Sequence, residues 1–251
     1  MKFTAIIPAR YASTRFPGKP LALIGDKPMI WHVYNRVSQV LDDVIVATDD
    51  SRIAQAVSDF GGRAIMTSPD HASGTDRCYE AFCACGSHAD IVINVQGDEP
   101  FIDPMQIRTL MQCFERPDTD IATLIRHFDP QHGFEALFDA NKVKVVTDSA
   151  GHALYFSRSI IPYVRSCKHT EWLASTDFYT HVGIYAFRAP VLADVVALPR
   201  SPLEIAESLE QLRWLQNGYN ITTAITDSPT IGIDTPEDLV NANEYYKTIQ
   251  Q

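Results

Sequence analysis

Residues 44–66 read VIVATDDSRIAQAVSDFGGRAIM, which is a short apolar run, an amphipathic segment and a second apolar run. Val44–Thr48 has the length and the β-branched content of a buried strand. In the segment that follows, apolar residues recur at helical spacing until Gly61-Gly62, a pair that ends helices. Ala64–Met66 then begins another strand. The stretch therefore predicts a strand–helix–strand unit whose two strands lie parallel in one sheet.

The same alternation extends along the chain in both directions. Apolar runs of about five residues recur at 4–7, 91–95 and 121–125, with amphipathic helical patterns between them. Runs of this kind are typical of strands that helices cover on both faces. The sequence therefore predicts an α/β fold, Rossmann-like, with a mostly parallel sheet and helices on both faces.

The pattern changes in the middle of the chain. Residues 143–146 and 153–156 are strand-like and flank a turn sequence, which predicts an antiparallel hairpin. We find no internal repeat and no linker composition. We therefore expect a single domain over residues 1–251, with an inserted β-rich subdomain at about 140–190.

Composition excludes several classes of protein. The 251 residues are 45% hydrophobic, which is enough for a full core, and 21 basic against 31 acidic residues give a net charge of −10. An acidic chain disfavours general binding to nucleic acid or to anionic membranes, and no apolar stretch approaches the length of a membrane span. The five cysteines include no Cys-x-x-Cys motif, which favours reduced thiols. We expect a cytoplasmic protein with no nucleic-acid partner and no membrane insertion.

The loop after the first strand is unusually basic. Residues 8–20 read PARYASTRFPGKP and contain Arg10, Arg15 and Lys19 but no carboxylate. Loop amides, arginine forks and a lysine point charge together suit a polyphosphate, although neither a Walker loop nor a Gly-x-Gly-x-x-Gly turn is present. A solvated basic loop is the alternative interpretation.

Two carboxylates occupy the position where ligands of parallel sheets bind. Asp98 follows the strand at 91–95 on a glycine-bent loop, and Asp234 follows the apolar run 231–233 directly before the last helix. Asp98 is the better Mg²⁺ ligand of its loop, because Glu99 can face solvent or accept a local hydrogen bond. For Asp234 the alternative is a turn or helix-capping role. Carboxylates facing the basic loop predict metal-assisted transfer at phosphorus.

A later segment carries a helix-start signature. Ser201 and Glu204 form a capping box that predicts a helix with Ile205 on its buried face. Leu209 and Leu212 are expected on the same buried face, and Glu210 and Gln211 on the face away from them.

Segments 8–20 and 94–100 closely resemble the 3-deoxy-manno-octulosonate cytidylyltransferase (CMP-Kdo synthetase) family. Four later segments agree, and the matches run from residue 4 to 240 in the family's order: 154–158, 181–185, 209–213 and 232–239. The resemblance implies a nucleotidyltransferase that transfers CMP from CTP to the anomeric hydroxyl of the acid sugar Kdo and releases pyrophosphate. It further implies Mg²⁺, a role in lipopolysaccharide biosynthesis in Gram-negative bacteria, and a cytoplasmic homodimer in which the inserted subdomain supplies sugar-binding and dimer contacts.

The resemblance also implies roles for individual residues. Those of the nucleotide site are Ala9, Arg10, Lys19, Ser73, Gly74, Arg77 and Gln96. Those that orient the sugar are Arg15, Arg158, Arg165, His181, Tyr185, Glu210 and Gln211. The metal ligands are Asp98 and Asp234, and the catalytic group is these two aspartates with Arg10 and Lys19.

Two alternatives remain open at this point. One is the same reaction on another acid sugar, either 8-amino-Kdo or sialic acid. The other is a nucleotide-binding regulatory protein that has kept the fold and lost the reaction, against which the presence of both Asp98 and Asp234 argues.

Overall fold

The computed structural model describes residues 1–13 and 15–249, so that Thr14 of the basic loop lies outside the described residues. Its strands are β1 (Phe3–Ala9), β2 (Leu23–Ile24), β3 (Lys27–Pro28), β4 (Val44–Thr48), β5 (Ala64–Met66), β6 (Ile91–Asn94), β7 (Ile121–His127), β8 (Lys144–Thr147), β9 (Ala153–Ser157), β10 (Tyr179–Arg188) and β11 (Ile221–Ile225). Its α-helices are α1 (Met29–Val37), α2 (Ser51–Asp59), α3 (Gly74–Ala84), α4 (Pro104–Gln112), α5 (Trp172–Ser175), α6 (Ala189–Ala197), α7 (Pro202–Glu207), α8 (Gln211–Gln216) and α9 (Pro236–Ile249). Within the described ranges, no helix combines the length and the apolar character that a membrane crossing requires.

The chain forms two compact units. The first comprises Met1–Arg108, Arg188–Val196 and Ser228–Gln251. The second comprises Thr109–Phe187 and Ala197–Asp227.

The first unit contains a parallel sheet in the order β6-β1-β4-β5. Helices α1 and α3 pack on β1, and α2 packs on β4 and β5. All five residues of β4 are buried, so both faces of the sheet are covered at this strand. The predicted mostly parallel sheet with helices is confirmed.

The loops that follow β1 and β6 approach each other closely. Parallel neighbours end at the same edge of a sheet, and Val95 N donates to the Ile6 carbonyl (3.0 Å) just before both strands end. A Cβ added to Gly97 would lie 2.7 Å from the Pro8 carbonyl oxygen, which is too close for any side chain. Glycine at 97 therefore allows the loop that carries Asp98 to pack against the beginning of the basic loop.

The strands of the second unit pair in both parallel and antiparallel directions. Strand β11 pairs with β7 in parallel, β7 pairs with β10 antiparallel, and the β8–β9 hairpin adds to β10. The hairpin confirms the prediction at 143–156. The β7–β10 register shifts between Val182 and Tyr185, which marks a bulge in β10.

The helix predicted from the Ser201 capping box differs from the one observed. The capping box is present, but α7 ends at Glu207 because Ser208 adopts a left-handed conformation (φ 51°, ψ 48°). The prediction for the buried face is wrong in two places: Ile205 is 58% exposed, and Gln211 is buried. The break at Ser208 shifts the phase of the following helix, which explains the error at Gln211.

Candidate active site

The two predicted metal-binding carboxylates lie close together in the first unit, at the Lys19 ammonium. Lys19 Nζ donates to Asp98 Oδ2 (2.7 Å) and to Asp234 Oδ1 (3.2 Å). Arg15 Nη2 lies 3.2 Å from the other oxygen of Asp234. The prediction that these aspartates meet the basic loop is confirmed, although residues 231–233 before Asp234 are not in a strand.

A backbone hydrogen bond links the two aspartate loops. Ile233 N donates to the Asp98 carbonyl (3.0 Å), and Asp238 accepts from the backbone N–H groups of Asp234 and Thr235. Asp238, which is inside the first turn of α9, therefore provides the turn contacts that were considered for Asp234. The Asp234 carboxylate is half exposed, and it faces Lys19 and Arg15 instead of capping the helix.

These groups open into a cavity of about 310 Å³ at the carboxyl ends of β1 and β6. Every predicted nucleotide residue lines it: Ala9, Arg10, Lys19, Ser73, Gly74, Arg77 and Gln96. Arg10 is exposed, and Ala9 is buried with its strand. The cavity therefore has cationic groups and carboxylates on its walls, which suits an anionic ligand that brings its own cation.

The position of Lys19 depends on the preceding glycine. Gly18 has φ +73°, and a Cβ there would meet the Tyr11 ring at 3.1 Å. On that ring lies the Arg52 guanidinium, with its Cζ 3.4 Å from the ring centroid. Gly18 thus supplies both the left-handed turn and the space for Tyr11, and Lys19 begins a short 3-10 turn (Lys19–Leu21) directly after it.

Two of the predicted nucleotide residues are occupied by structural contacts. Ser73 Oγ accepts from Asp76 N (3.1 Å) and Asp76 Oδ2 accepts from Ser73 N (3.1 Å), a capping box at the start of α3. Arg77 is buried and donates to Asp49 Oδ2 (2.9 Å) and Thr67 Oγ1 (2.6 Å). Arg77 therefore ties α3 to the residues that follow β4 and β5, and both the hydroxyl and the backbone N–H of Ser73 are engaged in the capping box.

The sequence analysis missed His71, which also lines this cavity. Its Nε2 is hydrogen-bonded to Glu80 on α3, and Glu80 also accepts from Ser68 N (2.8 Å). The His71 hydrogen bond, followed by that from Ser68, lowers the pKa of Glu80. The spacing of nine residues between His71 and Glu80 follows no helical or strand period, so the sequence offers no signal for this pair.

Glu99 is half-buried and not fully exposed to solvent. Burial, with a smaller contribution from the Asp98 carboxylate, raises the pKa of Glu99 to about 7. Next to the Asp98 carboxylate, which accepts from Lys19, the Glu99 carboxyl group is therefore partly protonated at neutral pH.

Three of the predicted sugar residues lie close together in the second unit: His181, Tyr185 and Glu210. The rings of His181 and Tyr185 have centroids 5.2 Å apart, although residues four apart in a regular strand are about 13 Å apart. The bulge in β10 accounts for the difference. Burial lowers the pKa of His181 to about 3, and its Nε2 lies 2.9 Å from Thr123 Oγ1, so the ring is neutral at physiological pH.

The Tyr185 hydroxyl is buried and has no hydrogen-bond partner among residues 1–13 and 15–249. Burial, with a smaller contribution from the Glu210 carboxylate, raises its pKa well above the ordinary value. The indole Nε1 of Trp214, whose ring centroid is 5.0 Å from that of Tyr185, is also unpartnered within the described chain. Buried polar groups without partners are rare in proteins and point to a missing hydrogen-bonding molecule.

The remaining sugar residues are placed differently. The Arg158 guanidinium donates to the carbonyls of Glu207 (2.6 Å), Ala140 (2.8 Å) and Ser208 (3.3 Å), and so braces the left-handed residue before α8. Arg165 is exposed, and Arg15 belongs to the first unit, where it pairs with Asp234. In this structure, only Arg165 of the three arginines is without such a described contact.

Comparison with known proteins gives consistent results. Residues 4–222 match the family model described as "Cytidylyltransferase". The 3-deoxy-manno-octulosonate cytidylyltransferase of Parabacteroides distasonis is 59% identical over 96% of this chain and 97% of its own length, and that of Bacteroides thetaiotaomicron is 56% identical over 98% and 99%. A solved structure of CMP:2-keto-3-deoxy-manno-octonic acid synthetase complexed with CTP has a TM-score of 0.91 and 45% identity, covering 99% of this chain and all of that one. The chain belongs to the cytidylyltransferase family.

Proposed function

We propose that this chain transfers CMP from CTP to the anomeric hydroxyl of 3-deoxy-D-manno-octulosonate (Kdo), giving CMP-Kdo and pyrophosphate. The observation that carries the proposal is 59% identity over nearly the full length of a relative of that name. The 0.91 TM-score to a CTP-bound synthetase gives further support. The cavity at the ends of β1 and β6 has the charge pattern that a nucleoside triphosphate needs.

In this reaction the anomeric oxygen of the sugar attacks the α-phosphorus of CTP. The bond from that phosphorus to the bridging oxygen breaks, and pyrophosphate leaves. Arg10 and Lys19 bind the triphosphate and offset its charge, while Ser73, Gly74 and Gln96 line the nucleotide site. The rate enhancement comes from positioning and from charge stabilisation, as in other phosphoryl and nucleotidyl transfers.

Asp98 and Asp234 would hold Mg²⁺. Their oxygens fit a metal ion because both lie within hydrogen-bond distance of one ammonium, so a single cation can reach both. Within the described chain, no group of three or more His, Cys, Asp or Glu side chains could hold a metal ion. Two carboxylates would therefore share the ion with phosphate oxygens and water, as is usual for Mg²⁺. When bound, Mg²⁺ neutralises phosphate charge and lowers the pKa of the attacking hydroxyl.

For the sugar, we propose His181, Tyr185 and Glu210 as direct contacts, because the buried Tyr185 hydroxyl needs a polar partner. Arg165 is exposed and able to meet a carboxylate. Gln211, Arg15 and Arg158 complete the predicted set. Gln211 is buried, and the described contacts of Arg15 and Arg158 are with protein groups, so these residues would act either by repositioning or by holding neighbouring residues.

We also propose that the chain acts in the cytoplasm as a homodimer that supplies CMP-Kdo for lipopolysaccharide biosynthesis. The segment at about 140–190 would contribute dimer contacts. Sedimentation velocity of the purified protein measures the assembly, and a single monomeric species at micromolar concentration would contradict this part of the proposal.

Pyrophosphate release measures the reaction itself. Purified protein with CTP and Mg²⁺ is assayed against Kdo, 8-amino-Kdo and sialic acid, with UTP in place of CTP as the nucleotide control. We expect turnover with CTP and Kdo. Turnover with sialic acid alone would reject the proposed substrate, and CTP binding without turnover on any of the three sugars would favour a regulatory protein.

A further inference from the structure

The Lys19 ammonium occupies the place between the two carboxylates that the proposed function assigns to a metal ion. Its distances to Asp98 Oδ2 and Asp234 Oδ1 are 2.7 and 3.2 Å, and its side chain is only 13% exposed. Arg15 meets the remaining Asp234 oxygen. The two carboxylates therefore face two cations that the chain itself supplies.

The local backbone holds Lys19 in this position. Gly18 N donates to the Tyr11 carbonyl (2.9 Å), and the 3-10 turn is closed by Leu21 N donating to the Gly18 carbonyl (2.9 Å). Buried Pro20 anchors the turn. The ammonium is thus delivered to the carboxylates by an ordered turn, unlike the end of a free surface side chain, which would gain little from an ion pair.

A divalent cation and Lys19 need the same oxygens. A metal that enters the nucleotide-free site must displace the ammonium, which then loses both carboxylates in a place where water only partly replaces them. A triphosphate changes this balance because its oxygens offer the ammonium new partners in the same cavity.

On the basis of the proposed function, we propose that Lys19 is a cation surrogate: it holds the two aspartates in the nucleotide-free protein, keeps divalent metal weakly bound, and moves to the nucleotide phosphates when these arrive. Nucleotide therefore binds before the metal or together with it. By linkage, the nucleotide raises the affinity of the aspartates for metal.

Metal binding to the nucleotide-free, full-length protein tests this without any turnover. The probe is Mn²⁺, with free ion measured by electron paramagnetic resonance at fixed ionic strength. Lys19→Met removes the charge at similar side-chain length, Lys19→Gln is a second neutral variant, and Lys19→Arg keeps the charge. We expect the neutral variants to bind Mn²⁺ at least about tenfold more tightly than wild type, because a unit charge at contact distance is removed, and Lys19→Arg to stay near wild type.

Two controls locate the effect. Arg10→Met removes a positive charge from the same cavity, and Arg10 forms no ion pair with either aspartate in the described structure, so it should tighten Mn²⁺ binding by less than about threefold, as a screened distant charge does. Adding Asp98→Asn to Lys19→Met should abolish the gain. Thermal unfolding with and without Mn²⁺ checks that each variant is folded, and the neutral variants should show the larger Mn²⁺-dependent rise in Tm.

The proposal is overturned if folded Lys19→Met and Lys19→Gln bind Mn²⁺ no more tightly than wild type. It is equally overturned if Arg10→Met gives the same gain or if the gain survives Asp98→Asn. Pyrophosphate release by wild type is measured separately: turnover with no gain in the variants rejects the surrogate role alone, and a gain without turnover on any acid sugar rejects the proposed function alone.

Discussion

The candidate nucleotide cavity and the His181–Tyr185 cluster handle polar groups in opposite ways. In the first unit, charged side chains are paired, as Lys19 is with Asp98 and Asp234. In the second unit the polar groups are neutral and desolvated: His181 is uncharged and the Tyr185 hydroxyl lacks a partner within the described chain. Under the proposed function, the first site would bind a highly charged nucleotide with its metal ion, and the second would bind hydroxyl groups of the sugar.

The largest expected effect tests the charged site. Asp98→Asn should leave the fold intact and reduce turnover by on the order of 10³-fold or more, because the metal ion that Asp98 would hold, which offsets the phosphate charge at the reacting centre, is no longer fixed. Pyrophosphate release with CTP and Kdo measures this. Asp26→Asn is the control, since Asp26 is exposed and pairs with the adjacent Lys27. Near-normal turnover of Asp98→Asn would remove Asp98 from the proposed reaction centre.

The next prediction tests whether Arg77, in the same cavity, stabilises the fold or contacts the ligand. Arg77→Met should destabilise the protein by about 3–5 kcal/mol, because it leaves the Asp49 carboxylate, which is only 12% exposed, without its cation. Urea unfolding measures the free energy. Adding Asp49→Asn should recover part of the loss, since the uncompensated charge is then gone. If Arg77→Met unfolds like wild type but binds CTP poorly, Arg77 is a ligand contact and not a brace.

The second site is tested by removing a single oxygen. Tyr185→Phe should reduce kcat/KM for Kdo by roughly 10–100-fold, the usual range for a lost hydrogen bond to a bound ligand, with KM for CTP unchanged. Its stability should be equal to or higher than that of wild type, because the hydroxyl bonds to no described protein group. Tyr163→Phe is the control, on a tyrosine of the same unit that is 71% exposed. A large loss of stability with full activity would reverse the interpretation.

The two sites also differ in how far the sequence predicted them. Lys19 and Asp98 could be predicted because their loops follow β1 and β6, and the ends of neighbouring parallel strands meet at one edge. Asp234 was found from the apolar run 231–233, although that run is not a strand. Charge alone then indicated which loops face each other. The confirmed parallel sheet and family membership rest on the same readable pattern of strands, helices and loops.

The remaining details depend on features that leave no periodic signal. A left-handed Ser208 shifts the phase of the helix that follows it, and this buries Gln211. The bulge that brings His181 to Tyr185 is a register shift between strands distant in sequence. The Arg77–Asp49 pair joins two elements through side chains, and nothing in either segment distinguishes it from a surface charge pair.

The last prediction concerns the pH dependence of stability. His181 has a folded pKa of about 3 against an ordinary value of 6.5, so between these values the unfolded chain binds more protons than the folded one. The stability contributed by the neutral ring is therefore full above pH 6.5 and is lost as the pH falls towards 3, at up to about 1.4 kcal/mol per pH unit.

His181→Gln should remove this part of the slope, whereas His88→Gln, at an exposed histidine of the first unit, should not change it. Urea unfolding from pH 4 to 7.5 gives the slopes. Equal slopes for wild type and His181→Gln would mean that the ring is charged or solvated in the folded protein, and the contrast between a charged and a desolvated site would no longer hold.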